Sequence, residues 1–168
     1  MKIAAQAENE LIHLGKLLKN MHIGMLTNVD EKGALVSRPM SAVEMDSKGR
    51  LWFFTDIHSG KVGHLNQCNL SFTDEANSTY VSISGHCEIN TDKKNIERLW
   101  TSFVRPWFPD GPDSPNIALL EFIPNAAEYW DAPNSKMVRL FAMAASIAVA
   151  RPIGMGDHDT LTDLGDSH

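Results

Sequence analysis

The sequence predicts an α+β fold, mainly β: a small six-stranded antiparallel barrel with flanking helices. Strand-like runs follow one another with Gly-ended turns between them. Helical periodicity is confined to a few gaps, and nothing alternates strand with long helix as a parallel sheet requires. At 168 residues the chain fits one domain, with a core large enough to stand without disulfides or metal. The expected division is a single domain at 1–150 and a flexible, Gly- and Asp-rich tail at 151–168.

The first element is a helix. Leu11, Leu14, Leu17, Leu18 and Met21 recur at helical spacing, with Glu8 and Glu10 early and Lys16 and Lys19 late, the order that suits the helix dipole. Residues 21–29 read as a strand closed by Asp30-Glu31-Lys32-Gly33. Strands at 34–45 and 50–55 follow, joined by Asp46-Ser47-Lys48-Gly49. Ser59 is placed to cap a short helix over 60–66, and 70–74 is a short strand. After Asn77-Ser78 the alternation is clean. Val81, Ile83, Cys87 and Ile89 share one face with Gly85 between them, and Tyr80, Ser82, Ser84, His86 and Glu88 share the other.

Thr91-Asp92 then caps a helix whose apolar side is Ile96, Leu99, Trp100, Phe103 and Val104. Residues 105–115 are proline-rich and must be a loop. A strong strand over 117–123 continues over 126–130 past Pro124, and 135–150 reads as helix.

Composition narrows the function. Fifteen Lys and Arg against 21 Asp and Glu give a net charge of −6, without the cationic stripe that nucleic-acid binding needs. The longest apolar run, 140–150, is far below the ~20 residues of a membrane span. Two cysteines form no disulfide framework, and the N-terminal residues carry no signal-peptide pattern, so the expected compartment is the cytoplasm. The seven histidines show no metal-ligand spacing, and no metal site is expected. Ser82 and Ser84 lack a nucleophile elbow, Cys68 and Cys87 read as small buried residues, and no acid/base dyad stands out. No catalytic side chain is assigned.

One segment concentrates binding chemistry. Arg38-Pro39-Met40 is followed by Trp52-Phe53-Phe54-Thr55 and by Ser59-Gly60-Lys61. Arg38 alone reads as a surface arginine. Pro39 changes that, because proline belongs at a sheet edge or bulge, where backbone groups are available to a ligand. Ser59 and Lys61 at a helix start offer a hydroxyl, N–H groups and an ammonium to an anion, and Thr55 adds a second hydroxyl. The alternation puts Trp52 and Phe54 on one face and Phe53 on the other. Together the segment suits an anionic ligand with a flat ring. Trp107 and Phe108 on the proline-rich loop, and Trp130, are aromatics that barrel packing explains less readily, and they read as ligand or interface walls.

These residues resemble a known family. Ser37-Arg38-Pro39-Met40-Ser41, Gly49-Arg50-Leu51-Trp52-Phe53-Phe54-Thr55-Asp56 with Ser59 and Lys61, Tyr80-Val81-Ser82-Ile83-Ser84-Gly85, the loop Trp107-Phe108-Pro109-Asp110-Gly111-Pro112 and Glu128-Tyr129-Trp130-Asp131 match, in order, the bacterial general-stress flavoproteins of the pyridoxamine-5′-phosphate-oxidase-like superfamily. The resemblance implies an FMN-binding split barrel, a homodimer with FMN (or FAD) at the subunit interface, and a redox role in stress. It places Arg38 and Lys61 on the phosphate with Ser59 and Thr55 assisting. It also sets the backbone around Pro39-Met40 and Phe53-Phe54 against the ring, and brings Trp107 and Trp130 from the second subunit. The acidic, Gly-rich C-terminal residues depart from the basic substrate segment of pyridoxamine-phosphate oxidases and argue against vitamin B6 phosphate as substrate. A binding module for flavin, haem or deazaflavin without turnover is the alternative.

Overall fold

The computed structural model of the chain describes residues 1–58, 65–131 and 136–141. In chain order the elements are β1 (Lys2–Ile3), α1 (Asn9–Leu18), β2 (Ile23–Val29), β3 (Leu35–Met45), β4 (Leu51–Asp56), β5 (Cys68–Asp74), β6 (Thr79–Asn90), α2 (Lys93–Leu99), β7 (Ile117–Asp131) and β8 (Lys136–Phe141).

Two aspartates build the first two hairpins in the same way. Asp30 Oδ1 accepts the N–H groups of Lys32 and Ala34 at 2.8 and 2.9 Å, and Asp46 Oδ1 accepts those of Lys48 and Arg50 at 2.8 and 3.0 Å. Each turn ends on a glycine at positive φ, Gly33 and Gly49, a conformation that costs a residue with a Cβ.

The strands close into a ring. Neighbours run β3-β2-β5-β6-β7-β4, and β4 pairs back onto β3, so six antiparallel strands make the barrel. β1 adds a short parallel pairing to β3, and β8 adds to β7. The fold is therefore the split-barrel α+β class expected.

Strand alternation sorts the side chains into two cores. Leu26, Phe53, Leu70, Phe72, Ile83 and Phe122 fill the barrel, and Leu11, Leu14 and Leu18 of α1 pack against them. Outside, Trp52 packs with Ile96 and Leu99 of α2 and with Val104, Phe108 and Leu119, joined by Phe54. Phe53 thus points in while its two neighbours point out.

Two expectations change. The helix at 135–150 is not found over Lys136–Phe141, which is strand β8, paired with Ala126–Asp131 of β7. An apolar run of that length fits helix or strand equally, and the pairing edge offered by β7 decides. The helix after Asp92 stops at Leu99. Trp100 turns to extended backbone, ψ 133°, and a 3-10 turn at Ser102–Val104 leaves Phe103 63% exposed. Phe108, read as a ligand or interface wall, is buried and at the same time lines the groove described below. Most of the helix placed at 60–66, the rest of 135–150 beyond β8, and the tail at 151–168 lie outside the described residues.

Candidate functional site

The barrel has a seam. β4 pairs with β3 only from Ala42 to Met45, with a bulge between Ala42 and Glu44, so the earlier part of β3 and the end of β4 diverge. Pro39 explains its own position. The N–H of Ala42 donates to His22 C=O on the β2 side at 3.0 Å. By alternation, Pro39 and Ser41 turn their backbone polar positions toward the seam, so a proline at 39 gives up no bond to β2.

A groove of about 540 Å³ opens along this seam. Pro39, Met40, Ser41 and Val43 form its β3 wall, Phe54, Thr55 and Asp56 its β4 wall, with Ile23 beside them. The remaining wall comes from the segment after α2, through Phe103, Val104, Trp107 and Phe108. The aromatics are held in sequence. Phe108 is buried against Phe54 at 6.4 Å between ring centres, Trp100 meets Phe54 edge-on at 5.9 Å, and the exposed rings of Phe103 and Trp107 lie 5.8 Å apart. The buried pair anchors the loop, and the exposed pair stands at the groove mouth.

The groove therefore unites Pro39, Met40, Phe54, Thr55 and Trp107 of the expected site. Trp107 does so from the same chain. Phe53 lies within the barrel core. Arg38 shares the inward face of β3 with Met40, and its Nη1 donates to Asn28 Oδ1 on β2 at 3.0 Å. Trp130 sits toward the other end of β7, beside Tyr80 of β6, and is partly exposed. Ser59 and Lys61 lie outside the described residues. Ile23, Ser41, Val43, Asp56 and Phe103 were missed. Ser41 and Val43 had a signal, since they follow Pro39 at the two-residue period of a strand.

The lining is chemically one-sided. Asp56 is its one charged group among the described residues, and the rest offers apolar walls, hydroxyls and backbone. That suits a flat ring held by aromatic contact and by main-chain hydrogen bonds. Among the described residues no group of three or more His, Cys, Asp or Glu is placed to hold a metal ion, and no helix is long and apolar enough to cross a membrane.

Comparison with known proteins agrees with this geometry. The family model described as pyridoxamine 5′-phosphate oxidase like matches residues 9–151. The chain belongs to that family. It is similar to protein bli-3 of Neurospora crassa, 24% identical over 158 residues that cover 86% of this chain and 76% of that protein. It is also similar to the general stress FMN/FAD binding protein of Xanthomonas citri. That likeness has 30% identity, a TM-score of 0.62, and coverage of 79% of this chain and 95% of the other. A Clostridium acetobutylicum protein related to general stress protein 26, of the pyridoxinephosphate oxidase family, is 25% identical with a TM-score of 0.67, again over 79% and 95% of the two chains. The fungal relative shows that such likeness is not confined to bacteria.

Proposed function

We propose that the chain is a cytoplasmic flavoprotein that binds FMN as a homodimer and serves a redox role in stress. The observation that carries the reading is the seam groove, whose size, aromatic wall and open strand edges fit a flavin ring. The family membership and a relative described as FMN/FAD binding support it.

Each group then has a task. Phe54, Trp107 and Phe103 would contact the ring, and the Pro39–Ser41 edge would meet its polar rim. Arg38, with Ser59 and Lys61, would hold the phosphate, and Thr55 would assist. Bound flavin supplies electron or hydride transfer. The protein's own part is to orient the ring and keep water from it.

The dimer rests on the outer face of the barrel. Thr27, Asn69, Ser71, Ser82 and Ser84 make a patch of small polar groups, with Thr27 hydrogen-bonded to Ser37 at 2.7 Å and Asn69 to Ser82 at 2.8 Å. Exposed Met25, Leu35, Tyr80 and Trp130 rim it. A second copy laid there would bury the rim and bring its Trp130 toward the groove. Light scattering on the eluting protein tests this, a monomer at micromolar concentration being the contrary result.

A second reading, binding without turnover, is favoured by the scarcity of proton-transfer groups, since Asp56 is the lone titratable side chain among the described lining residues. Purified protein mixed with FMN and desalted should keep a flavin spectrum. Oxidation of NADH or NADPH by that complex separates the redox reading from the binding one.

A further inference from the structure

The flavin reading leaves the two cysteines without a role. Both are buried and unbridged, yet they are not separate core residues. Cys68 of β5 pairs with Gly85 of β6, and Cys87 lies two residues further along β6, on the same inward face. One carbonyl ties them together. Leu65 C=O accepts the N–H of Cys87 at 2.8 Å and the Cys68 thiol at 3.4 Å. The two thiols are hydrogen-bonded to each other.

The surroundings make the pair unequal. The bond from Cys87 holds the Cys68 thiol below its usual range despite burial, helped by the Arg38 guanidinium nearby. The same bond, with burial, pushes the Cys87 thiol far up. Cys68 is therefore the more acidic of the two thiols and Cys87 the less acidic. Asn28 links the parts: it pairs with Cys68 across β2 and β5 and accepts from Arg38 Nη1.

We propose that Cys68 and Cys87 form a peroxide-reactive dithiol, with Cys68 the attacking sulfur and Cys87 the resolving one. The Cys68 thiolate attacks one oxygen of a hydroperoxide. An S–O bond forms, the O–O bond breaks, and the departing oxide takes a proton from solvent to leave as water or an alcohol. Cys87 sulfur then attacks the sulfenic sulfur. The S–S bond forms, the S–O bond breaks, and hydroxide leaves with the Cys87 proton as water. Two thiols lose two electrons, and the hydroperoxide gains them.

The register sets the distance that the disulfide must close. Diagonal neighbours on antiparallel strands start about 7–8 Å apart and a disulfide draws the Cβ atoms to about 3.5–4.5 Å. Leu65 C=O holds both residues at one point, and each thiol shifts the ionisation of the other.

The test needs no flavin. The full chain is treated with stoichiometric hydrogen peroxide, denatured under acid, and its thiols and intact mass are measured. The expected result is loss of both thiols and of two hydrogens in a single chain, reversed by dithiothreitol. Methionine oxidation adds oxygen instead and is distinguished by mass. In Cys87→Ala, dimedone should trap a sulfenic acid on Cys68. In Cys68→Ala, the remaining thiol should react at least tenfold more slowly. Two thiols surviving in the wild-type chain, or a disulfide joining two chains, overturns the proposal whatever the variants do.

Discussion

Arg38 Nη1 donates to Asn28 Oδ1 at 3.0 Å, across the pairing of β3 with β2. The guanidinium is thereby fixed on the inward face of β3, while Pro39 next to it faces outward, opposite Met25. One strand thus supplies a cation to one side and a groove wall to the other. Arg38→Ala should weaken FMN about tenfold or more, since a charge-assisted hydrogen bond is worth about 1.5–3 kcal/mol. Fluorescence titration measures this, and an unchanged affinity removes Arg38 from the phosphate site.

Trp107 is 66% exposed, so its ring contributes little to folding. Trp107→Ala should leave the melting temperature within the range of ordinary surface changes, about ±0.5 kcal/mol, yet weaken flavin binding and relieve quenching of the bound flavin. Loss of stability with unchanged flavin binding would make the ring structural.

Gly85 is where β6 passes β7 most closely. A Cβ there would stand 2.2 Å from Ile123 O, a backbone atom with no freedom to yield. Gly85→Ala should cost about 3 kcal/mol or fail to fold, as judged by chemical denaturation. Gly33→Ala meets no neighbour and should cost less, through its φ of +79° alone.

Glu44 is buried; it accepts from Arg98 Nη1 at 2.6 Å and forms an ion pair with Lys2 Nζ at 3.3 Å. Removing a partner leaves a carboxylate with less compensation. Arg98 is itself 45% exposed, which reduces the loss through solvent screening. Arg98→Ala should cost about 1–3 kcal/mol, a drop of about 3–10 °C in melting temperature. An unshifted melt would show that Lys2 and water suffice.

Much of this fold was legible in the chain because its signals are local. Asp30 and Asp46 each precede a glycine by three residues, and both turns form on those aspartates. The inward run Val81, Ile83, Cys87 and Ile89 and the opposed faces of Phe53 and Trp52 follow from strand alternation alone. What was illegible depended on partners distant in sequence. Lys136–Phe141 became strand because β7 offered an edge, and Phe108 was buried because Phe54 of β4 meets it. The site divides likewise. Pro39, Met40, Phe54, Thr55 and Trp107 carried recognisable chemistry, whereas Ile23 and Asp56 matter only because the seam between β3 and β4 gathers them.

The central claim is that this seam holds the flavin ring. Ser41 lines it, at a half-exposed outward position where a larger side chain has room to extend into the groove. FMN titration of Ser41→Trp beside the wild-type chain is therefore the direct test. The account predicts saturable binding of about one flavin per chain in the wild type. It predicts at least a tenfold loss in the variant at an unchanged melting temperature. Equal affinity in both proteins, or no binding by the wild type, would contradict it.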